Sequence, residues 1–324
     1  MRYSVVIPCY KSGRTIGKLV GLIKDEFGRM GQDYEIILVN DCSPDGGETW
    51  NVISGLAGGD RLVKAVNLGK NAGQHNAVMA GLRYAEGERI FALDDDMQTH
   101  PSEMQKLIDE MERGYDMVYG YYEKKRENLF RRFGSALNFY TIRVLIGKPK
   151  NLKTSSYWLI KKYVRDYAVQ YEHPNVHLQG IFLRTTRNIS CVPIRHFERE
   201  VGTSTYTLRK LIGLYSNIIG FSEVPLKIVM NGGLFFAVIG LAAAAAIVIR
   251  KLTNPAYMLG WPSMMAAMCF FSGILLFSVG IVGIYVGRLF RAATNTPQYV
   301  VKETVNIGIN VREDVKEGEV GGSV

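Results

Sequence analysis

The sequence predicts an α/β domain built on a parallel sheet, followed by two membrane-spanning helices. Three observations predict it. Up to about residue 120, short β-branched runs alternate with helix-like segments, the pattern of a parallel sheet with helices on both faces. One apolar run, Arg89-Ile90-Phe91-Ala92-Leu93, ends directly in Asp94-Asp95-Asp96-Met97-Gln98. Further on, neither Ile228–Ile249 nor Leu252–Gly287 contains a charged residue.

The predicted strands are Tyr3–Pro8, Tyr34–Asp41, Leu62–Val66, Arg89–Leu93 and Met117–Gly120, with helices beginning near Thr15, Gly46, Asn71 and Pro101. Pro101-Ser102-Glu103 is a helix-start signal placed just after the acids, and a helix N-terminus there adds a field favourable to a diphosphate. The apolar run before the acids delivers hard oxygen ligands to the carboxyl edge of the sheet, where open α/β folds bind ligands. Adjacent carboxylates repel, so an ordered Asp-Asp-Asp calls for a cation or hydrogen bonds close by. Mg2+ or Mn2+ on a diphosphate meets that need with one or two carboxylates plus phosphate oxygens. Strand alternation sends Asp94 and Asp96 to one side and Asp95 to the other. A solvated acidic turn is the alternative reading for the three acids taken alone.

A 22-residue helix is about 33 Å long, enough for a hydrocarbon core of about 30 Å. The two uncharged stretches, split by Arg250-Lys251 and by Asn254-Pro255 and Trp261-Pro262, therefore read as a transmembrane hairpin. Met1 is followed almost at once by strand-like Ser4-Val5-Val6-Ile7, which leaves no room for a signal peptide and places the bulk of the chain in the cytosol. Arg199, Arg209, Lys210 and Lys227 before the first span, and Arg288, Arg291 and Lys302 after the second, support that orientation. The expectation is a multi-pass protein of the inner (plasma) membrane with a cytosolic catalytic domain. A net charge of +9 suits a surface held against anionic lipid. No basic stripe interleaved with aromatics, helix-turn-helix or zinc pattern points to nucleic acid. Four scattered cysteines, with no Cys-x-x-Cys pair, are those of a reducing compartment.

The resulting organisation is a catalytic domain over 1–202, an amphipathic helix in the membrane interface over 203–225, two spans over 226–288 and a cytosolic tail over 289–324, strand-like at first. Basic and apolar residues mixed in Lys124-Lys125-Arg126 and Leu129-Phe130-Arg131-Arg132-Phe133 suggest a second interfacial segment. Gly232, Gly233, Gly240, Gly280, Gly283 and Gly287 let helices approach closely; packing within the hairpin is preferred over contacts in a homo-oligomer.

Four motifs occur in order: Ile7-Pro8-Cys9-Tyr10; Val39-Asn40-Asp41-Cys42-Ser43-Pro44-Asp45-Gly46; Asn67-Leu68-Gly69-Lys70-Asn71-Ala72-Gly73-Gln74-His75-Asn76-Ala77; and the acidic triplet. Together they resemble the inverting family 2 glycosyltransferases, whose nucleotide-sugar-binding domain is of the Rossmann-like GT-A type. With the apolar hairpin, the resemblance narrows to the branch that glycosylates polyprenyl phosphates, and it covers residues 1 to about 300. It implies that Pro8 and Tyr10 lie against the base or ribose, that Asp41 hydrogen-bonds the base, and that Lys70, Asp94 and Asp95 belong to the nucleotide-sugar site. The family's Asp-x-Asp-x-Gln pattern falls on Asp94, Asp96 and Gln98. That match implies Asp96 and Gln98 as ligands of Mg2+ or Mn2+, and Asp94 near the diphosphate and sugar, so that Asp94 and Asp96 carry catalysis. Arg131 and Arg132 match a basic pair of the family, and Arg199 matches its Arg-x-x-Gly-x-Ser-Lys-Tyr element. All three are implied in binding the lipid phosphate, which suits the planar fork of arginine.

The chain departs from the family at Lys11-Ser12, where Asn-Glu is common, at Thr205 for a Lys, and at Lys153-Thr154-Ser155-Ser156-Tyr157-Trp158. In the last, Ser156 and Trp158 stand where relatives carry the Asp and Arg of Gly-Asp-Phe-Arg. His100 reads as a loop residue, and His173 and His177 are separated by Pro174, which argues against zinc. The implied reaction moves a sugar, glucose from a UDP donor before others, onto undecaprenyl phosphate for a cell-envelope glycan. Two rival readings are a processive polysaccharide synthase, whose Gln-x-x-Arg-Trp element is not visible, and a noncatalytic nucleotide-sugar-binding protein.

Overall fold

The computed structural model describes residues 2–122, 148–174, 176–197, 224–253, 260–294 and 296–307. Strand β1 (Tyr3–Cys9) is buried at every position, as a strand covered on both faces must be. It lies between β2 (Tyr34–Asn40) and β4 (Arg89–Ala92), and β3 (Val63–Leu68) extends the sheet beyond β2; all three ladders are parallel. Helix α1 (Ile16–Met30) links β1 to β2, α2 (Glu48–Gly59) links β2 to β3, and α3 (Gln74–Arg83) links β3 to β4. A single helical turn at Pro101–Glu103 leads into α4 (Met104–Glu112) and then β5 (Met117–Tyr122). The chain continues through β6 (Trp158–Lys161), α5 (Lys162–Ala168), α6 (Leu178–Thr185) and β7 (Ile189–Ile194).

Among the described residues eight strands, the last of them β8 (Val301–Val305), stand in the order β7-β5-β6-β4-β1-β2-β3-β8. The strands up to Tyr122, β1 to β5, run in one direction as expected; the antiparallel members come from later in the chain, β6 against both β4 and β5, and β8 against β3. Both strands are four or five residues long and come from parts of the chain remote from the regular β/α alternation. Local pattern does not fix their direction.

Two cores flank the sheet. Phe27, Phe91 and Tyr157, with Leu107 of α4 and Ile53 of α2, fill one face. Met79 of α3, Val164 of α5 and Phe182 of α6, with Trp158, fill the other. On that second face Gly81 of α3 lies directly over β1 and β2. A Cβ there would strike Val6 and come within 3.1 Å of Val39, so glycine is what lets α3 sit this close.

Two long helices follow, α7 (Val224–Thr253) and α8 (Trp261–Ala293), touching where Phe236 meets Phe270 and Phe271 at ring separations of 6.3 and 6.1 Å. Among the described residues one segment, Phe270–Gly287, is long and apolar enough to cross a membrane, and Val224–Gly240 is a shorter apolar stretch. The expected pair of spans thus corresponds to one qualifying helix and one shorter apolar one. The interfacial helix expected over 203–225 and the basic segment around Arg131 lie outside the described residues, save for the first residues of α7.

Beyond α8 the chain returns to the sheet as β8. Gln298 donates to the carbonyls of Tyr171 and His173, both at 3.1 Å; the Gly69 N–H donates to Val300 O at 2.8 Å; and Asn306 Nδ2 donates to the carbonyls of Ala57, Asp60 and Val63.

Candidate active site at the carboxyl edge of the sheet

Because β1 to β4 run parallel, the four loops that follow them meet at one edge. β6, running the other way, adds the segment before Trp158 to the same edge. Among the described residues, Lys11, Cys42, Met97 and Asn306 are the non-glycine positions with left-handed φ, at 59°, 48°, 61° and 59°. Three of the four fall in these loops, where backbone strain of this kind gathers at functional sites.

Pro8 closes the β4 side of β1. The β1–β4 ladder ends at Val6↔Ala92: Leu93 N–H donates to Val6 O, and proline, having no N–H at position 8, cannot return the bond to Leu93 that would carry the ladder on. Tyr10 follows with its ring on the surface, 48% exposed. Its backbone N–H donates to Asp95 Oδ2 at 2.9 Å, and Thr15 Oγ1 donates to the Asp95 carbonyl at 3.2 Å. Asp95 therefore ties the acidic loop to the loop after β1. Its carboxyl is held above the usual range chiefly by desolvation, against the hydrogen bond from Tyr10.

Asp94 turns the other way, toward α3 and the segment before β6. Gln74 Nε2 donates to Asp94 Oδ1 at 2.5 Å and the Ser156 hydroxyl donates to Oδ2. Desolvation pushes the Asp94 carboxyl up to about 6, with Asp96 and Asp95 adding to the rise and Ser156 and Gln74 opposing it. Asp96 Oδ1 accepts from the Gln98 N–H at 3.1 Å in a turn closed by buried Met97. That turn holds the Asp96 carboxylate beside Gln98, whose carbonyl accepts from Phe197 N–H at 3.2 Å.

Asp41 is 4% exposed, and its two carboxylate oxygens accept from the N–H groups of Ala72 at 2.7 Å and Gly73 at 2.9 Å. It clamps the loop after β3, where Lys70 stands exposed, to the end of β2. Burial raises its carboxyl pKa against those two bonds. His100 caps the turn at Pro101, accepting from Ser102 N–H at 3.2 Å and packing on Phe197. His177 lies 5.7 Å from the ring of His75, whereas His173 packs on Tyr171. Trp158, in the position of the family's Arg, points into the core, edge-on to Phe182 at 5.0 Å, and Ser156 alone of that pair reaches the acids. Arg131, Arg132 and Arg199 lie outside the described residues.

A divalent ion fits the chemistry here. Three carboxylates follow one another at this edge, those of Asp94 and Asp95 with raised pKa, and Asp96 and Gln98 offer hard oxygens. Among the described residues no group of three or more His, Cys, Asp or Glu side chains is arranged to hold a metal, so an ion here needs oxygens from a bound diphosphate. Gln74 and Thr15 carry no site role in the expectations above, and Ser43 none beyond a turn with Asp41. Gln74 carried a signal in its place at the helix start after Gly73; the other two acquire partners only through folding.

The mixed α/β sheet, with acidic and backbone-lined loops at its carboxyl edge, is consistent with a GT-A, Rossmann-like domain. Residues 4–168 match the model of the glycosyl transferase family 2. The chain is 30% identical to the undecaprenyl-phosphate 4-deoxy-4-formamido-L-arabinose transferase of Edwardsiella ictaluri (strain 93-146) over 310 residues, covering 93% of this chain and 94% of that one. It is 27% identical to the uncharacterized glycosyltransferase YkcC of Bacillus subtilis (strain 168), with 95% of each chain covered. Among solved structures, glucosyl-3-phosphoglycerate synthase from Mycobacterium tuberculosis aligns with a TM-score of 0.49 at 16% identity, over 68% of this chain and 80% of that one. The chain belongs to glycosyl transferase family 2 and is a glycosyltransferase.

Proposed function

We propose that this enzyme transfers a sugar, with inversion, from a nucleotide sugar to a polyprenyl phosphate at the cytosolic face of the plasma membrane. The observation that carries the reading is the near full-length similarity to transferases named for undecaprenyl phosphate and 4-deoxy-4-formamido-L-arabinose. The site agrees with it. Pro8, Tyr10 and Asp41 hold the nucleoside, Asp41 using the lone pairs its two backbone bonds leave. Lys70 and Asp94 face the diphosphate and sugar, Asp95 fixes the loop that presents Tyr10, and Asp96 and Gln98 hold Mg2+ or Mn2+. Arg131, Arg132 and Arg199 take the lipid phosphate. Because α7 leaves the catalytic domain and β8 returns to it, both ends of the α7–α8 pair belong on one side of a membrane, which supports an even number of crossings.

In the reaction an oxygen of the lipid phosphate attacks the anomeric carbon. The new C1–O bond forms as the C1–O bond to the diphosphate breaks, and the nucleoside diphosphate leaves with the electron pair. A phosphate monoester with a second pKa near 6 is already largely ionised at neutral pH, so no strong general base is required. A divalent cation held by Asp96 and Gln98 would supply charge stabilisation for the leaving diphosphate. The chain's own residues position donor and acceptor in line, Asp94 being held toward the reacting centre by Gln74 and Ser156.

UDP-glucose is the first donor to test. The names of the relatives make a UDP-linked 4-deoxy-4-formamido-L-arabinose the second. Purified enzyme is incubated with undecaprenyl phosphate, Mn2+ or Mg2+ and a panel of nucleotide sugars, and the lipid product is identified by mass and by the NMR of its anomeric centre. The expected product is a β-linked glycosyl phosphate from an α-linked donor, abolished by Asp96→Ala. An α-linked product excludes the single displacement, and full activity of Asp96→Ala excludes the metal assignment.

A further inference from the structure

A row of side chains crosses the sheet beneath the donor loops. Lys11 N–H donates to Ser43 Oγ at 3.1 Å, the Ser43 hydroxyl donates to Asn40 Oδ1 at 2.7 Å, Asn40 Nδ2 donates to Asn67 Oδ1 at 2.8 Å, and Asn67 Nδ2 donates to Glu303 Oε1 at 2.7 Å. Asn40 is the register partner of Asn67, and Asn67 of Glu303, so the three side chains stand in line on one face of β2, β3 and β8. Every hydrogen in the series points toward the carboxylate.

That common sense has a cause. An asparagine amide has a donor end and an acceptor end and can be satisfied either way round, but an ionised carboxylate only accepts. Glu303 obliges Asn67 to turn its NH2 outward and its oxygen toward Asn40. Asn40 must then give its NH2 to Asn67, which leaves its own oxygen for the hydroxyl and N–H of Ser43. With its hydrogen committed, Ser43 has a lone pair free for Lys11, a residue held at φ 59° in the loop that presents Tyr10. Asn40 and Asn67 are buried, at 5% and 7% exposed, so water does not readily substitute for a missing partner.

We propose that Glu303, on the strand reached only after α7 and α8, is a positioning residue for the donor: it completes, from the carboxylate end, the hydrogen-bond sense that the Ser43 N–H fixes at the other, and so holds the Tyr10–Ser12 and Asp41–Ser43 loops in the form that takes the nucleoside diphosphate. The inference rests on the assignment of those loops to the nucleoside. Attachment of β8 does not depend on Glu303, since Gln298, Val300 and Asn306 hold the segment on both sides of it. Glu303 itself is exposed, so its removal leaves the core intact.

The test uses the full chain, with titration of UDP in Mn2+, steady-state kinetics for donor and acceptor, and thermal unfolding. Glu303→Leu should weaken UDP binding and raise the donor KM by about three- to tenfold, leaving kcat, acceptor KM and Tm unchanged. Glu303→Gln should restore binding, because its side-chain oxygen can still accept from Asn67. Unchanged UDP affinity in Glu303→Leu, or a loss that tracks a fall in Tm, overturns the proposal. Asp41→Ala separates it from the reading beneath it: if that variant binds UDP normally, the nucleoside assignment fails. If Asp41→Ala loses UDP while Glu303→Leu does not, only the relay fails.

Discussion

The hydroxyl of Ser156 donates to the Oδ2 oxygen of Asp94, across 62 residues of sequence and from the far side of strand β4. The resemblance to the family implies an Asp at this position. Here an uncharged donor meets a carboxylate already crowded by Asp95 and Asp96, where a fourth acid would add like charge. Gln74 takes the other oxygen, so Asp94 is gripped from two elements.

Ser156→Ala should therefore lower kcat by about tenfold with little change in donor KM, since it frees the orientation of Asp94 without touching the nucleoside loops. Initial rates at saturating acceptor measure this. An unchanged kcat would show that Gln74 alone positions the carboxylate.

Asp95 has a different task from its neighbours, because its side chain holds the Tyr10 backbone N–H. Asp95→Ala should raise the donor KM by about tenfold and leave the acceptor KM in place, whereas Asp95→Asn, which keeps an acceptor oxygen, should recover most of the loss. Equal effects of the two variants would point to charge as the property that matters.

Gly81 sets the distance between α3 and the sheet. Gly81→Ala should cost about 1–3 kcal/mol, because its Cβ meets Val6 and Val39 in a filled core. It should also lower kcat, since α3 carries Gln74 to Asp94. Denaturant unfolding and turnover of the same preparation test the two effects together; full stability would mean that the helix shifts at little cost.

His177 gives the fold an acid-sensitive point. Burial, with His75 beside it, holds its pKa down at about 4, and its ring nitrogen accepts from Gly180 N–H at the start of α6. A histidine whose folded pKa is depressed contributes stability that is present above the unfolded value near 6.5 and is lost as pH falls toward 4. The loss from this residue should approach about 3 kcal/mol across that window. Unfolding measured from pH 7 to 4 should show a flatter profile in His177→Asn, which keeps a cap without titrating. Identical profiles would assign the acid loss elsewhere.

Much of the site was legible because its chemistry is local. Asp94-Asp95-Asp96 declared itself by following an apolar strand, Asp41 by closing the next one, and the loop Asn67–Ala77 by its glycines and its place before a helix. What each acid does was not legible. One covalent segment carries three similar side chains, and only the folded backbone sends Asp95 to Tyr10, Asp94 to Gln74 and Ser156, and Asp96 to Gln98. Trp158 is the reverse case: it stands where the resemblance implies an Arg, and the pleat of β6 turns it into the core against Phe182.

By itself the sequence determined the central β/α alternation, the order of the four loops at the carboxyl edge of the sheet, the apolar character of the C-terminal helices and the membership of the family. Those properties reside in hydrophobic period and in residue types held within a few positions of one another. Tertiary structure alone decided the antiparallel entries of β6 and β8, the partners of each carboxylate and the row from Lys11 to Glu303. These join residues as much as 292 positions apart, and hydrogen-bond direction between such residues exists only once the strands that bear them lie side by side.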